Sequence, residues 1–503
     1  MNEAATPDEG QEQRLHPWSW LFALQQQLQQ FLLPLLALLF FGSRRQDSDD
    51  WPFHLITLSV VVALAAAALL EYLTYRYRIG RDALVVRSGI FERTRREIPF
   101  ARIHNVVVHQ NLLHRLFGVA ELRLESAAGE KPEAQMRVLR LTQALELERL
   151  IRHGSRGPAP ALGEAPPAAD DVLLTLPVPE LVRLGLVSNR ALVALAAAIG
   201  AAWQVFPRQA TEDFLRAQGQ QAVGYASQLQ FGSGSLLLGA AFALLLVLAL
   251  MWLLSIALAV VQYHGFRLSE ADRRLTVERG LLTRSRSSVA RRRIQAWTLR
   301  EGVLHRLFRR RQLRVDIASG GGREQDGRAL KELAPLASTD VCDGLLHHLL
   351  PGLQWPPAQW HAVSRRGWWR LCLPALFVAG VAAALAWQRF GAWGLLPLLW
   401  LPWSAFKAHR QVARMAYSID AQRVAVRGGW WNRWWRIAEL DKLQALQLDR
   451  SPLDRRFGTA TLTLDTAGAS GAPPLRLHFL DEGEAQALLE QLSREMARRQ
   501  LRW

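Results

Sequence analysis

An alternating pattern of apolar and polar positions occurs three times along the chain. Residues 84–91 form an apolar run that contains Gly89 and ends in two large apolar residues. Residues 275–282 repeat this pattern around Gly280, and residues 424–431 repeat it around Gly429. The first two glycines lie 280 − 89 = 191 positions apart, and the third follows 429 − 280 = 149 positions later. Because these offsets persist over about 40 residues, the pattern indicates a domain present in three copies.

A long apolar segment precedes each copy. The strongest segments are residues 53–73, 235–261 and 368–387, and each matches the roughly 20 apolar residues that cross a bilayer core. Each has a weaker apolar partner nearby, at residues 18–41, 191–206 and 391–406. The pattern therefore predicts an α+β membrane protein with about six transmembrane helices in three pairs, which alternate with three soluble domains.

The composition shifts along the chain predict the domain boundaries. Residues 154–190 begin with a stretch rich in Pro, Ala and Gly, which is typical of linkers. Residues 353–367 contain Trp355-Pro356-Pro357, which marks the next boundary. The predicted order is an N-terminal tail (1–17), helix pair 1 (18–73), domain 1 (74–153), a linker with an interfacial helix (154–190), helix pair 2 (191–261), domain 2 (262–352), a linker (353–367), helix pair 3 (368–406) and domain 3 (407–503).

The charge distribution predicts the orientation in the membrane. The formal net charge is +17, and arginines concentrate in the soluble domains, whereas the connections within the helix pairs are nearly neutral. The positive-inside rule therefore places all three domains and both termini in the cytoplasm. The acidic first residues do not form the basic start of a cleavable signal peptide, so we expect the first apolar segment to remain as an anchor.

Each soluble copy predicts a small antiparallel sheet closed by a helix. In the first copy, residues 75–79, 83–91, 93–100, 106–109, 120–125 and 135–141 have strand character, and residues 112–117 predict one short helical turn that ends at Gly118. Thr142 is a predicted N-cap for a terminal helix. The corresponding helices of the other copies are predicted at residues 338–350 and 482–499.

Several motifs of the first copy resemble a known family. Tyr77-Arg78-Ile79, the run at residues 84–91, Ile98-Pro99-Phe100-Ala101-Arg102-Ile103 and His114-Arg115-Leu116-Phe117-Gly118 are similar to the bacterial pleckstrin-homology-like (PH-like) domain, also called domain of unknown function 304. The third copy departs from this pattern, because residues 454–457 replace the His-Arg-Leu-Phe motif. The resemblance implies a fold of seven strands and one helix, and a multi-pass protein of the bacterial plasma (inner) membrane. It supplies no catalytic residues.

The sequence lacks the motifs of the common enzyme classes. It has no Gly-Lys-Ser/Thr phosphate loop and no Gly-x-Ser-x-Gly elbow, and Gly320-Gly321-Gly322 has the character of a hairpin turn. His104, His109 and His114 lie five residues apart, which fits neither one face of a helix nor the alternation of one strand, and no Cys or Glu pattern completes a zinc site. We therefore expect no catalytic residue, metal or cofactor, and we expect the protein not to be an enzyme.

Two arginine clusters are candidate contacts for anionic lipids or an acidic protein. They comprise Arg291, Arg292 and Arg293, and Arg309, Arg310 and Arg311. A juxtamembrane arginine near anionic lipid contributes on the order of 1 kcal/mol. The alternative is that the arginines only set topology and solvate the domain. Binding of nucleic acid is not expected, because the clusters lack interleaved aromatic residues.

The aromatic segment of the third copy is a further candidate. Trp430, Trp431, Arg433, Trp434 and Trp435 occupy a predicted strand, turn and strand. Because side chains alternate along a strand, we expect some rings to pack in the domain core and others to contact the membrane surface or a partner.

These observations predict a non-enzymatic multi-pass protein whose cytoplasmic PH-like domains bind the membrane surface, protein partners or each other. Assembly or stress defence in the bacterial envelope is the role that the resemblance suggests. The expected partners are the lipid bilayer, anionic lipids and an unidentified membrane or cytoplasmic protein, in a homo- or hetero-oligomer. The alternative is a transporter or lipid-handling protein with regulatory PH-like domains, which polar residues facing each other among the helices would favour.

Overall fold

The fold is that of a computed structural model. It describes residues 12–22, some positions between 24 and 70, and then residues 72–80, 83–89, 93–126, 134–154, 171–188, 190–205, 216–217, 220–221, 233–317, 331–466 and 475–498. The predicted turn at Gly320-Gly321-Gly322 lies outside these residues.

Domain 1 contains two antiparallel sheets and a terminal helix. The first sheet has the order β1 (Gln13–Arg14), β2 (Arg76–Ile79), β3 (Ala83–Ser88) and β4 (Thr94–Pro99). A 3-10 turn at Phe100–Arg102 leads to β5 (Ile103–Gln110), β6 (Val119–Ser126) and β7 (Ala134–Arg140). The short helix α1 (Leu112–Leu116) follows β5, and helix α2 (Leu141–Gly154) follows β7. The predicted N-cap Thr142 is therefore the second residue of α2 and not its cap.

Domain 2 repeats this arrangement after a membrane segment. Strand β8 (Asp171–Thr175) is followed by the helices α3 (Val178–Val187), α4 (Arg190–Val205) and α5 (Ser233–Tyr263). The domain continues with β9 (Arg267–Ala271), β10 (Arg274–Arg279), β11 (Arg284–Ala290), β12 (Ile294–Glu301), α6 (Val303–Leu307), β13 (Arg310–Ile317), β14 (Glu332–Ser338) and α7 (Thr339–Leu349). The side chain of Ser338 caps α7 by accepting a hydrogen bond from the Val341 amide.

Domain 3 has the same order of elements. Strand β15 (His361–Ala362) precedes a helical hairpin that contains α8 (Leu373–Phe390) and α9 (Trp400–Arg414), each with a 3-10 segment before it. The domain then contains β16 (Ala416–Ile419), β17 (Arg423–Gly428), β18 (Arg433–Glu439), β19 (Leu443–Asp449), α10 (Pro452–Phe457), β20 (Thr459–Thr466), β21 (Leu475–Asp481) and α11 (Glu482–Arg498). The three predicted terminal helices are thus α2, α7 and α11.

Two helical segments in the described part of the chain are long and apolar enough to cross a bilayer. They are Ala241–Tyr263, with a mean hydropathy of 3.0, and Arg365–Arg414, with a mean hydropathy of 1.8. The second is a hairpin, because the chain reverses at Gly391 and the backbone of Trp387 lies against Gly394. Helix α4 has 16 residues, and most of the first predicted pair lies outside the described residues. Six crossings therefore remain a prediction.

The structure moves several of the predicted boundaries, among them that of the linker 353–367, whose strand β15 pairs with β16 of domain 3. Strand β1 belongs to domain 1 although its residues were assigned to the N-terminal tail, and β8 belongs to domain 2 although it falls in the predicted linker. Residues 19–22, assigned to the first helix pair, begin a helix that packs on domain 1, where Phe22 contacts Phe117. In each case a short segment before the membrane helices pairs with or covers the domain that follows them.

Each domain has its own hydrophobic core. The core of domain 1 centres on residues such as Leu84, Leu122 and Leu147, and the cores of domains 2 and 3 contain equivalent residues of their own strands and terminal helices. The terminal helix therefore covers the sheet in every copy, as the alternation of the strands and the helical spacing of residues 147–151 predict.

The domains are joined through continuous sheets. Strand β5 of domain 1 pairs with β11 of domain 2, which creates one sheet in the order β7–β6–β5–β11–β10–β9–β8. Strand β12 of domain 2 pairs in the same way with β18 of domain 3, in the order β14–β13–β12–β18–β17–β16–β15. We call these pairings the first and second junctions. They connect the three domains into one row.

Candidate membrane-facing site

Helix α5 marks the level at which domain 2 meets the membrane. Its leucine-rich part, from Leu238 to Leu254, is almost entirely exposed on the protein surface, whereas Ser255, Ala259 and Tyr263 are buried against the domain. A helix of 31 residues is about 46 Å long, which exceeds the 30 Å of a bilayer core. The last turns of α5 therefore extend beyond the hydrocarbon region into domain 2.

A tight turn of domain 2 lies on this end of α5. The amide of Gly280 donates to the carbonyl of His264 at 2.9 Å, and the amide of Leu281 donates to the carbonyl of Val261 at 2.9 Å. Gly280 has a φ of 114°, and a Cβ there would lie 1.9 Å from the Thr283 carbonyl oxygen, so only glycine fits. Leu281 and Leu282 follow it and are exposed beside the membrane helix.

The equivalent turn of domain 3 carries Trp430 and Trp431. The Trp430 ring lies 5.3 Å from the ring of Phe406 and 6.1 Å from that of Trp403, both on α9. The guanidinium of Arg410 lies 6.0 Å from the centre of the Trp430 ring. Clusters of tryptophan and arginine are typical of the membrane–water boundary, where an amphipathic ring contacts both phases.

The short helices α1 and α6 expose leucines at the membrane-proximal ends of domains 1 and 2. Leu116 is 77% exposed, and Leu307, its repeat equivalent 191 positions later, is 73% exposed. Each helix contacts the turn of the next domain. Nη1 of Arg115 donates to the Leu281 carbonyl at 3.0 Å, and Nη2 of Arg306 donates to the Trp431 carbonyl at 3.2 Å. The leucines therefore lie beside the membrane-proximal turns.

Together these residues form an apolar surface that we call the tip surface. It repeats at the first and second junctions, and it lies at the end of the domains from which the described membrane helices leave. Its exposed members are Leu112, Leu113, Leu116, Leu281, Leu282, Val303, Leu304, Leu307 and Trp431, and the half-buried Trp430 packs beside Trp431. An exposed apolar surface of this kind marks a contact with a membrane or a partner.

The cluster Arg291–Arg293 lies at the opposite end of domain 2. Strand β11, of seven residues, separates it from the turn after Gly280 and spans about 23 Å. Arg291 binds within the domain, since its Nε donates to the Leu349 carbonyl at 2.8 Å and its Nη1 lies 3.2 Å from Glu270. Arg292 is exposed and Arg293 is half-buried. Burial, with the charge of Arg292, lowers the pKa of Arg293.

Two arginines of the second cluster are also used within the protein. Arg310 forms a bidentate pair with Glu180 of α3, with distances of 3.0 and 2.8 Å. This hydrogen bonding lowers the pKa of Glu180. Arg311 lies 3.2 Å from Asp343, and its guanidinium lies 5.1 Å from the centre of the Trp435 ring. Both arginines are therefore engaged within the protein, and their contact with lipid or a partner stays a prediction.

Arg309 differs from its two neighbours. It is exposed directly after α6, beside Leu307, at the tip end of domain 2. Its φ is 51°, and its repeat equivalents in the other domains, Gly118 and Gly458, have φ values of 63°. An arginine in the left-handed region costs about 1 kcal/mol or more relative to glycine. A strained residue that is exposed at a surface indicates a function.

The aromatic segment of domain 3 divides between two cores. Trp434 packs against the core of domain 3, and Trp435, on the other face of β18, packs against the core of domain 2. Arg433 pairs in register with Glu301 of β12. Trp434, Trp435 and Arg433 are therefore residues of the second junction, whereas Trp430 and Trp431 belong to the tip surface.

No cluster of three or more metal-binding side chains occurs among the residues that the structure describes. Cys342 is buried, and burial raises the pKa of its thiol to about 12. A thiol of this kind is protonated at neutral pH and is a poor nucleophile.

The leucines of the tip surface were not among the sequence candidates. The repeated His-Arg-Leu-Phe motif predicted only a short helical turn. The signal was present, because a leucine recurs at 116 and 307 in a one-turn helix that is too short to bury both of its faces.

Comparisons with known proteins agree with this architecture. The family of the bacterial PH domain matches three times, at residues 30–155, 233–340 and 370–496. The UPF0699 transmembrane protein YdbT of Bacillus subtilis (strain 168) is 21% identical over 500 residues, which cover 96% of this chain and 98% of that protein. No solved structure matches the chain. Because the family matches cover most of the sequence, the chain belongs to the bacterial PH domain family and is a membrane protein that carries three copies of the domain.

Proposed function

We propose that the protein is a non-enzymatic scaffold of the bacterial plasma membrane. Its three PH-like domains lie in one row on the cytoplasmic surface, contact the lipid head groups through the tip surface, and present their distal ends to a protein partner in the cytoplasm. The observation that carries this proposal is the exposure of the repeat-equivalent Leu116 and Leu307 beside the membrane-proximal turns.

The position of the tip surface supports contact with the bilayer. The Leu281 amide donates to the carbonyl of Val261, which lies in the last turn of the apolar span Ala241–Tyr263 of α5. Head groups extend about 5–7 Å from each face of the hydrocarbon core. The exposed leucines therefore lie near the depth at which apolar side chains enter the boundary between head groups and acyl chains.

Charge at the same surface favours anionic lipid. Arg309 is exposed beside Leu307, and Arg455 and Arg456 are exposed on α10, the equivalent short helix of domain 3. Each such arginine contributes on the order of 1 kcal/mol near an anionic leaflet. By contrast, Arg292 lies at the distal end, where an acidic protein partner is the matching ligand.

The continuous sheets support a scaffold. Because the junctions are made of backbone hydrogen bonds and buried side chains, the three domains keep a fixed spacing. The described membrane helices attach along one side of the row. Among the described membrane helices, the transporter alternative receives less support, because the polar contact of Ser255 with Ser188 lies near the domain end of α5. The exposed faces of α5 and α8 carry Leu, Ala, Val and Phe, and the buried residues of α8 are Ala379 and Ala383.

The contact with lipid can be measured in the intact protein. Leu307→Cys, in a chain whose Cys342 and Cys372 are replaced by alanine, is labelled with a small fluorophore and reconstituted in vesicles that contain lipids brominated on the acyl chain. The fluorophore should be quenched, and quenching should increase when phosphatidylglycerol is included. Arg292→Cys in the same domain is the matched control and should not be quenched.

Equal quenching at the two positions, or none at Leu307, would contradict the proposal. Leu307→Ser should leave the unfolding temperature of the detergent-solubilised protein nearly unchanged, because the side chain is exposed. A large loss of stability would mean that the leucine packs within the protein instead.

A further inference from the structure

The row of domains ends in two unpaired strand edges. At each junction, the fifth strand of one domain pairs with the fourth strand of the next. Within the described residues, β4 of domain 1 is therefore the outer strand of its sheet at one end of the row, and β19 of domain 3 is the outer strand of its sheet at the other. Residues 94–97 of β4 and Gln444, Ala445 and Gln447 of β19 are exposed, whereas the equivalent residues of β12 are buried.

Both junctions use the same register. Asn105 lies opposite Val289 at the first junction, and Ala296 lies opposite Ala438 at the second. These pairs are equivalent, because 105 + 191 = 296 and 289 + 149 = 438. Continuing the pattern once more gives Ala445 opposite Ile98, since 296 + 149 = 445 and 289 − 191 = 98. The same register sets Gln447 opposite Arg96 and Asp449 opposite Thr94.

Each free edge also carries the repeat equivalent of one member of a buried ion pair. At the second junction, Arg436 of domain 3 donates to Asp316 of domain 2, and Arg436 is fully buried. The repeat equivalent of Arg436 in domain 1 is Arg96, and that of Asp316 in domain 3 is Asp465. Both are exposed in the structure. Asp465 lies opposite Ala445 on the strand beside β19, as Asp316 lies opposite Ala296 on the strand beside β12.

We propose that two copies of this chain associate head to tail, with β19 of one copy paired to β4 of the next and Asp465 bound to Arg96. The contact is a third junction with the register of the two internal ones. Because the two contacting surfaces differ, the association is heterologous and continues as a row or closes as a ring. This association extends the proposed scaffold function. It depends on that proposal only in requiring that both copies lie in the same membrane.

The orientation of the two copies fits a single membrane. In the proposed register, Asp449 lies opposite Thr94. Asp449 precedes α10, and Thr94 follows the hairpin turn equivalent to the turn after Gly280, so both residues lie at the tip ends of their domains. The tip surfaces of the two copies therefore point the same way, as two proteins inserted in one bilayer require.

The polar side chains of the two edges explain how the soluble domains of an unpaired chain avoid aggregation. Residues 94–97 of β4 include Arg95, Arg96 and Glu97, and such charges prevent unspecific strand pairing. An edge of this kind accepts only a partner with matching groups. Asp465 meets this requirement for Arg96, and Gln447 offers a polar side chain opposite the same arginine.

Disulfide crosslinking of the full chain in membranes tests the pairing. Two differently tagged copies, one with Thr94→Cys and one with Asp449→Cys, are coexpressed in the background without Cys342 and Cys372 and then oxidised. A dimer that carries both tags is expected, and neither variant alone should crosslink. Asp449→Cys should also crosslink to Thr94→Cys more than Gln444→Cys does, because Gln444 lies five residues out of register.

Charge exchange separates the proposed contact from chance collision. Arg96→Asp or Asp465→Arg alone should lower the crosslinked fraction by about ten-fold, as expected for loss of a charge-assisted hydrogen bond. A chain that carries both changes should recover most of it, because the pair re-forms with reversed charges. Crosslinking without this rescue, crosslinks between two Thr94→Cys copies, or crosslinks only to a different protein would overturn the proposal. The quenching of a label at Leu307 does not depend on this association, so the two proposals fail separately.

Discussion

Arg436 and Asp316 form an ion pair across the second junction, and the arginine side chain has no exposed surface. Burial lowers the pKa of Arg436, and the charge of Asp316 acts in the opposite direction. Removing one member of a buried pair leaves an uncompensated charge, which costs about 3–5 kcal/mol.

We therefore expect Arg436→Met and Asp316→Leu each to lower the unfolding free energy by about 3 kcal/mol, and the double variant Arg436→Met with Asp316→Leu to lose less than the sum. Denaturation of the detergent-solubilised protein measures all three. The exposed Arg292→Met is the control and should change stability by about 0.5 kcal/mol or less. Additive losses would show that the two side chains do not interact.

Neighbouring arginines at the tip should respond in opposite ways. Arg309→Gly should raise stability by about 0.5–1 kcal/mol, because glycine adopts the left-handed backbone without strain, and should weaken the preference for anionic lipid. Arg310→Gln should lower stability because Glu180 loses its bidentate partner, and should leave lipid preference unchanged. Thermal unfolding and binding to vesicles with and without phosphatidylglycerol distinguish the two. Loss of lipid preference in Arg310→Gln alone would reverse this assignment.

The loss of stability on replacing each tryptophan of domain 3 should depend on whether its ring packs in a hydrophobic core. Trp434→Ala and Trp435→Ala remove rings that pack in the cores of domains 3 and 2, so each should cost about 2 kcal/mol or more. Trp431 is 50% exposed, and Trp431→Ala should cost about 1 kcal/mol or less. Thermal unfolding of the three variants measures the order. An equal loss at all three positions would mean that Trp431 is packed as the others are.

Asp454 should make the stability of domain 3 depend on acid pH. Burial acts to raise its pKa, but hydrogen bonds from Arg370, Ser451 and Thr459 outweigh it and lower the pKa to about 2. The folded pKa lies below the ordinary value of about 4, so the stabilisation is present above pH 4 and is lost as pH falls towards 2.

Asp454→Asn should therefore be less stable at neutral pH and should lose stability less steeply between pH 4 and pH 2. Unfolding temperature against pH measures both effects, with the exposed Asp481→Asn as the control. A parallel pH dependence in Asp454→Asn and the unchanged protein would contradict the role of this carboxylate.

The sequence predicted the elements of each domain because their signals are local. Alternation predicted strands β6, β13 and β20, and the spacing of Leu147, Leu150 and Ile151 predicted the helix that closes domain 1. The offset of 191 residues predicted the triplication, which the family matches confirm.

The junctions were not predicted, because pairing between strands about 180 residues apart (first junction) or about 140 residues apart (second junction) leaves little local trace. One trace existed. Val106, Val107 and Val108 are consecutive and buried, and a strand without alternation is typical of burial on both faces. Strand β19 alternates at the equivalent position, as expected for a strand with one free face. The candidate site found in the structure differed from the predicted one for a similar reason. The sequence shows where arginines cluster, but it does not show that Arg310 pairs with Glu180, 130 residues away.

The orientation of the three domains is the central claim, and labelling of single cysteines in intact cells tests it most directly. Arg149→Cys, Arg292→Cys and Gln422→Cys each place an exposed thiol in a different domain, in the background without Cys342 and Cys372. A membrane-impermeant maleimide should label none of them in intact cells and all of them after the membrane is permeabilised. Labelling of any one in intact cells would place that domain outside the cytoplasm and contradict the account.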